Sequence, residues 1–264
     1  MTAWTEYFDR IVCINLIERR DKKKYVQGVF DTMQIRVEFF EAQKHPKGGR
    51  YGCFHSHICV IADAYAAGVR KLLVFEDDIM LAPSFTNGAI LQETVDFMQC
   101  PRQDWEYFQL GHFPIVDESL GLEPYFNAKR VSGYNHIIKF MGLSTHAYCI
   151  NRKGMKKILE SNWREVIDNM HVDVFFVQNV GLKGYCVIPT LFVQKLCLRT
   201  DNNPRTPLEV TARKFSCVAE KLDILYNVSL IKYAFTAYDI VVIVLLCFLV
   251  VFVIVLLHIG KKRS

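Results

Sequence analysis

Leu72-Leu73-Val74-Phe75-Glu76-Asp77-Asp78 decides how this chain is read. Four apolar residues run directly into three carboxylates. A short apolar run bounded by polar residues predicts a strand buried on both faces of a sheet. Where it leaves the sheet, Glu76 and Asp78 lie two positions apart, on one face if extended geometry persists. Adjacent negative charges at the end of a buried strand repel one another and add nothing to packing. A divalent cation would relieve that repulsion, and hard oxygen ligands suit Mg²⁺ or Mn²⁺. The plain alternative is a solvated acidic turn.

Towards the amino terminus, Arg10 to Leu16 reads as a first buried strand. From Asp21 the period changes, and Tyr25, Val26, Val29, Phe30 and Met33 fall on one helical face, with Lys22, Lys23 and Lys24 in the first turn. Ile35 to Ala42 alternates apolar and polar residues and reads as a second strand, so a parallel pair with a right-handed crossover opens the chain. A glycine-rich basic loop, residues 43–50, follows. Ser56 then reads as the cap of a helix carrying Ile58, Val60, Ile61, Ala64 and Tyr65, ended by Gly68. Strand, helix, strand, helix, strand is a doubly wound α/β pattern, which binds ligands beyond the carboxyl ends of its strands. Asn15-Leu16 and Glu76-Asp77-Asp78 both sit at such ends, which favours a site over a solvated turn.

Towards the carboxyl terminus, helices are expected over 89–99, from Arg152 onward and over 172–180, and strands over 105–111, 145–150 and 186–193, the last interrupted by Pro189. Leu120 to Asn135 has little periodicity and reads as a loop over the site. Arg199 to Pro207 is a linker by composition. Phe215, Val218, Leu222 and Leu225 stripe a basic helix that could pack on the core or lie along a membrane surface.

The chain has 264 residues, 51% apolar and 22% charged, enough for one sizeable α/β core plus a tail. A net charge of +5, spread in small groups, gives little support to nucleic-acid binding. Nine cysteines without a CxxC pair or zinc spacing point to reduced thiols. Ile240 to Ile259 carries no charge and is followed by Lys261-Lys262-Arg263-Ser264. At about 1.5 Å per residue it spans roughly the 30 Å of a bilayer core, which predicts a single-pass anchor. The expected organisation is a catalytic domain over 1–198, a linker and amphipathic helix over 199–238, a transmembrane helix over 239–260 and a basic tail over 261–264. Basic residues after the span, the Lys-Lys-x-x ending and the span's nearness to the chain end give conflicting orientation cues. Reduced cysteines, and a Met1–Glu6 stretch without signal-peptide character, favour a cytosol-facing domain on an endoplasmic-reticulum-type or viral membrane.

Ile14-Asn15-Leu16 with Arg19, Arg20 and Asp21 resembles the opening motif of the family 25 glycosyltransferases, which include lipooligosaccharide and procollagen galactosyltransferases. Gly52-Cys53-Phe54-His55-Ser56-His57 looks like the family's Gly-Cys-x-x-Ser-His element, and Phe75-Glu76-Asp77-Asp78 matches its Glu-Asp-Asp. Tyr107-Phe108-Gln109-Leu110-Gly111 is similar to its Leu-Gly strand. Thr145-His146-Ala147-Tyr148 with Arg152-Lys153-Gly154 resembles its Thr-x-Ala-Tyr … Lys-Gly element. Each motif alone is weak, and five in order over roughly residues 9–195 are specific.

The resemblance implies a GT-A-type, Rossmann-like nucleotide-sugar-binding sandwich, a UDP-sugar donor and Mn²⁺ or Mg²⁺ held by the acidic motif. It implies Asp78 and Glu76 as metal ligands, Glu76 also facing the ribose, Asp77 as a donor-binding residue of the same motif whose part is the least defined, and Asn15 and Arg19 meeting the nucleotide. Ser56 and His57, read at a helix N-terminus, would lie near the diphosphate; as a cap and a packed first-turn residue they would do neither. Family members are regarded as inverting, which demands a base for the acceptor hydroxyl. Asp173 is the candidate, against plain helix capping, and His171 would complete the metal shell. Gln194 stands where the family often keeps a Gln. Asn151 replaces a common Ser and Lys22 a common Arg, and neither is expected to touch the metal chemistry.

The function these features favour is transfer of a hexose, galactose by the resemblance, from a UDP-sugar to a hydroxyl of a glycan or protein. Against it stand a catalytically inactive structural or sugar-binding protein of the same fold, and a metal-dependent phosphohydrolase, which would gather more carboxylates or histidines.

Overall fold

The computed structural model describes residues 2–113, 128–195 and 198. Ten strands are defined among them: β1 Arg10–Leu16, β2 Glu38–Ala42, β3 Lys71–Glu76, β4 Ile79–Leu81, β5 Tyr107–Phe113, β6 Lys129–Arg130, β7 Ile137–Lys139, β8 Leu143–Asn151, β9 Gly184–Val187 and β10 Phe192–Gln194. The helices are α1 Arg20–Met33, α2 Gly49–Ala66, α3 Gly88–Gln99, α4 Arg152–Glu160, α5 Trp163–Val166 and α6 Val172–Gln178. One mixed sheet runs in the order β2-β1-β3-β8-β5-β9-β7-β6, and β4 pairs with β10 in a small second sheet.

The apolar run of β3 is the centre of this arrangement. Leu72, Leu73, Val74 and Phe75 are all fully buried, and their alternation divides them between two cores. Leu73 and Phe75 pack on the face covered by Val26 and Phe30 of α1 and Val95 and Phe97 of α3. Leu72 and Val74 join Phe54, Ile58 and Ile61 of α2, Met155 and Ile158 of α4 and Phe175 and Phe176 of α6. Burying each such side chain is worth roughly 1.5–3 kcal/mol relative to leaving it in water. A strand covered on both faces has no room for alternating polar residues, which is why it reads as a continuous apolar run.

The opening β-α-β-α-β is as expected: β1 pairs in parallel with β2 on one side and with β3 on the other. The doubly wound pattern does not continue. β8 inserts antiparallel between β3 and β5. It begins opposite Phe113, the residue on which β5 ends, and runs back along β5. The sheet is therefore parallel in its first third and mixed beyond it.

Other boundaries move for local reasons. β2 begins only at Glu38, because Gln34 closes α1 in the left-handed region (φ 57°) and Ile35 folds back to donate its backbone N–H to Phe30. The single strand expected over 186–193 is two, β9 and β10, parted around Pro189. β6 lies inside the expected loop over 120–135, of which residues 120–127 are outside the described set. The linker from Arg199, the striped basic helix, the 239–260 span and the basic tail also lie outside it. Among the described residues no helix is long and apolar enough to cross a membrane.

Gly111 shows what the Leu-Gly strand is for. A Cβ there would overlap the His146 ring and come within 2.7 Å of the Phe192 carbonyl oxygen, so only glycine lets β8 and β10 close against β5. Gly111→Ala is expected to cost about 1–3 kcal/mol by overpacking. The urea midpoint should fall with the slope unchanged, and an unchanged midpoint would show that this contact yields freely.

Candidate active site

The parallel strands β1 and β3 and the returning strand β8 bring their site residues to one edge of the sheet. Ile14 and Glu76 are register partners, so Asn15 stands beside the acidic turn. Thr145 reaches the same edge from the amino-terminal part of β8, and its hydroxyl donates to Glu76 Oε1 at 2.7 Å. The preceding backbone N–H, of Ser144, donates to Asp173 Oδ2 at 2.9 Å. Two adjacent residues of one strand thus tie Glu76 and Asp173 to a common rim.

The three carboxylates have separate environments. Asp77 is 7% exposed and turned inward. Asn15 Nδ2 donates to its Oδ2 at 2.8 Å, and Lys22 Nζ lies 2.9 Å from its Oδ1. Burial, and the neighbouring charge of Asp78, push Asp77 up to about 6 despite these partners. Asp78 shares the same ammonium at 3.3 Å and is likewise pushed up by burial. Burial also opposes ionisation of Glu76, but the facing His57 imidazole and the Thr145 hydroxyl outweigh it and hold Glu76 down to about 2. Gln194, carried on β10, holds its Nε2 3.4 Å from Glu76 Oε2 and 3.5 Å from Asp78 Oδ1.

Those two oxygens are the least engaged of the acidic turn. Both carboxylates keep 20% of their side-chain surface exposed. Glu76 Oε2 and Asp78 Oδ1 converge on one amide through long contacts only, whereas the other site carboxylate oxygens have closer partners. Hard, partly accessible carboxylate oxygens suit Mn²⁺ or Mg²⁺.

Several expected positions differ. α2 starts at Gly49, so Ser56 and His57 lie in the second turn or beyond, not at the helix N-terminus. Ser56 donates its hydroxyl to Gly52 O at 2.7 Å instead of capping, and His57 is fully buried with Nδ1 3.0 Å from Tyr148 Oη. The anion-binding argument for this pair therefore loses its basis. Arg19 precedes α1 and holds Asp21 by two hydrogen bonds, at 2.9 and 2.8 Å. His171 is exposed, at the N-cap of α6. Asp173 lies in the first turn of α6; its carboxylate receives the backbone N–H groups of Ser144 and Val174. Asn151 caps α4 by accepting from the Gly154 N–H at 3.0 Å, which explains why it can stand for Ser.

Lys22 is the main correction. Its expected indifference to the acidic motif is wrong, because its buried ammonium sits between Asp77 and Asp78. A lysine in a basic first turn reads as solvated; the discriminating signal was its position on the apolar face with Val26 and Phe30. Thr145 and Tyr148, which the sequence shows only as letters of a motif, position Glu76 and His57. Lys22→Met should destabilise the protein by about 3–5 kcal/mol, since it leaves buried carboxylates without their counter-charge. Adding Asp77→Asn should recover part of that loss in urea unfolding; strictly additive losses would show that the pair is not coupled.

Residues 47–176 match the family model described as Glycosyltransferase family 25 (LPS biosynthesis protein). The human protein named Inactive glycosyltransferase 25 family member 3 is 23% identical over 181 residues, covering 58% of this chain and 29% of that protein. Procollagen galactosyltransferase 1-A of Xenopus laevis is 25% identical over 196 residues, covering 64% of this chain and 30% of its own length. The chain thus spans less than a third of the length of these curated relatives. Among solved structures, the catalytic domain of Drosophila beta1,4galactosyltransferase 7 in complex with xylobiose aligns with 78% of this chain and 79% of its own at 7% identity and a TM-score of 0.38. A glycosyltransferase involved in the glycosylation of the major capsid of PBCV-1 aligns with 59% and 69% at 14% identity and a TM-score of 0.34. These two structural likenesses are too distant to argue from.

Proposed function

We propose that this chain, which carries a glycosyltransferase family 25 domain, transfers a hexose from a UDP-sugar to a hydroxyl of a glycan or protein acceptor on a GT-A-type fold. The observation that carries this reading is the convergence of Glu76 Oε2 and Asp78 Oδ1 on Gln194 at the sheet edge that also holds Asn15 and Asp173. Galactose is the favoured sugar, by likeness to the Xenopus relative's name.

Glu76 Oε2 and Asp78 Oδ1 would hold Mn²⁺ or Mg²⁺, which when bound supplies positive charge to the departing diphosphate. Asn15 presents a buried Oδ1 with no hydrogen-bond partner among the described residues, an acceptor suited to a hydroxyl or N–H of the nucleoside. Arg19, beside it, would meet the phosphates or base only by exchanging its Asp21 contact. Asp77 binds neither donor nor cation in this scheme; with Lys22 and Asn15 it anchors the turn from which Glu76 and Asp78 project. Ser144 and Val174 aim Asp173 from their backbone N–H groups, and it would take the acceptor hydroxyl's proton as attack inverts the sugar carbon. His171, exposed at the helix start, is a poorer candidate for a cation ligand than Gln194 is for a donor contact. The 239–260 span would anchor the domain to an endomembrane or a viral membrane, facing the cytosol.

A second reading has its own support. Lys22 already neutralises much of the acidic motif, and the human relative is named inactive, so the same fold could bind a sugar nucleotide without turning it over. The two readings part in one assay. The full chain in detergent is incubated with a panel of UDP-sugars, Mn²⁺ and hydroxyl acceptors, and UDP release is followed. The transferase reading expects Mn²⁺-dependent release that Asp78→Ala reduces to background with its unfolding midpoint little changed. UDP binding without release from any donor would support the binding-protein reading, and release undiminished in Asp78→Ala would refute the cation assignment.

A further inference from the structure

Cys53 and His57 are four residues apart on α2 and so lie one above the other on a single helical face. That face meets the end of β3, where Glu76 leaves the sheet. Cys53 Sγ, a His57 ring nitrogen and a Glu76 carboxylate oxygen all lie within 4.8 Å of one another. Among the described residues this is the one group of three histidine, cysteine or acidic side chains drawn so close. It is not the Glu76–Asp78 pair discussed above, and the donor chemistry has no use for a thiol.

The orientation of His57 is the independent observation. The residue is fully buried, and its Nε2 has no hydrogen-bond partner among the described residues; Glu76 Oε1 lies 3.5 Å from it. Its Nδ1 is engaged with Tyr148 Oη at 3.0 Å. With Nδ1–H as the donor in that bond, the tautomer that a bound metal selects, Nε2 carries the lone pair 3.5 Å from Glu76 Oε1; without metal, the other tautomer turns an N–H toward that carboxylate. An imidazole fixed through one nitrogen so that the other is free is the usual arrangement of a metal-ligating histidine. Glu76 Oε1 is held in the same manner by the Thr145 hydroxyl at 2.7 Å.

We propose that Cys53 Sγ, His57 Nε2 and Glu76 Oε1 form a transition-metal site of the Zn²⁺ class, beside the candidate donor site and sharing Glu76 with it through the other carboxylate oxygen. A sulfur, nitrogen and oxygen donor set selects Zn²⁺ over Mg²⁺ or Mn²⁺, and three protein ligands leave a fourth position for water. Zn²⁺ bonds of about 2.0–2.3 Å place tetrahedral ligand atoms roughly 3.3–3.8 Å apart. The 3.5 Å between His57 Nε2 and Glu76 Oε1 already has that spacing. Binding displaces the Cys53 thiol proton to solvent and forms the thiolate–metal bond, with no change of oxidation state. The metal would clip α2 to the end of β3 and fix the side chain of Glu76 from its Oε1 side, leaving Oε2 to the donor cation.

The test reads metal binding and not sugar transfer, so its failure leaves the transferase reading untouched. The full chain in detergent is stripped with a chelator and titrated with Zn²⁺, and with Co²⁺ as a spectroscopic substitute. One equivalent should bind, with a thiolate-to-cobalt charge-transfer band that Zn²⁺ abolishes. Cys53→Ala should lose the band, and Tyr148→Phe should weaken binding roughly 10-fold or more through the lost hydrogen bond to His57. A folded wild-type chain that shows no thiolate–cobalt band overturns the proposal, as does a folded Cys53→Ala chain that keeps it. Should Cys53→Ala fail to fold, alkylation of the wild-type chain decides: Zn²⁺ must protect Cys53, and unchanged labelling of Cys53 overturns the site.

Discussion

A lysine ammonium 2.9 Å from Asp77 and 3.3 Å from Asp78 allows a buried strand to end in three carboxylates. Without it, two negative charges would face each other in a setting where water cannot screen them, and each would cost several kcal/mol in lost hydration. Lys22 is delivered to that place by α1, whose Val26 and Phe30 pack on the same sheet face as Phe75. The crossover that joins β1 to its parallel neighbour β2 is therefore also what supplies the counter-charge. Fold and site share one constraint.

Around this pair the turn divides its labour. Asp77, the central carboxylate, faces inward and is used up by Lys22 and Asn15. Glu76 and Asp78 project from either side of it and keep partial access to solvent. Thr145 reaches Glu76 from β8 of the mixed sheet, and Gln194 reaches both Glu76 and Asp78 from β10, which pairs with β4 in the small second sheet. The antiparallel β8 matters here. Running back beside β3, it offers the amino-terminal part of a strand, with Ser144 and Thr145, to an edge that a parallel neighbour would have met with its other end.

Much of this was legible in the sequence. Continuous apolar runs identified β1 and β3 because burial on both faces leaves no alternation to misread, and the acidic turn announced itself by charge density. Asn15, Glu76 and Asp78 could be named because they stand at carboxyl ends of parallel strands, where such sheets bind ligands. What stayed hidden depended on non-local geometry. The direction of β8 is hidden because period 2 is the same in either direction. Lys22 looked like its neighbours Lys23 and Lys24, and only its place on the apolar stripe set it apart. Ser56 resembled a helix cap because Gly48 and Gly49, the true start, carry no side chain to announce one. His57 and Cys53 share a helical face by simple spacing, but nothing in the sequence says that Glu76 meets them there.

The central claim is that Asp78 and Glu76 hold a divalent cation for a nucleotide-sugar donor. Electron paramagnetic resonance of Mn²⁺ added to the full chain, with and without UDP, tests it most directly. The account predicts that UDP together with the protein removes the free-Mn²⁺ signal, and that Asp78→Asn restores it in a chain that remains folded. A free-Mn²⁺ signal unchanged by wild-type protein and UDP, or one lost equally with Asp78→Asn, would contradict it.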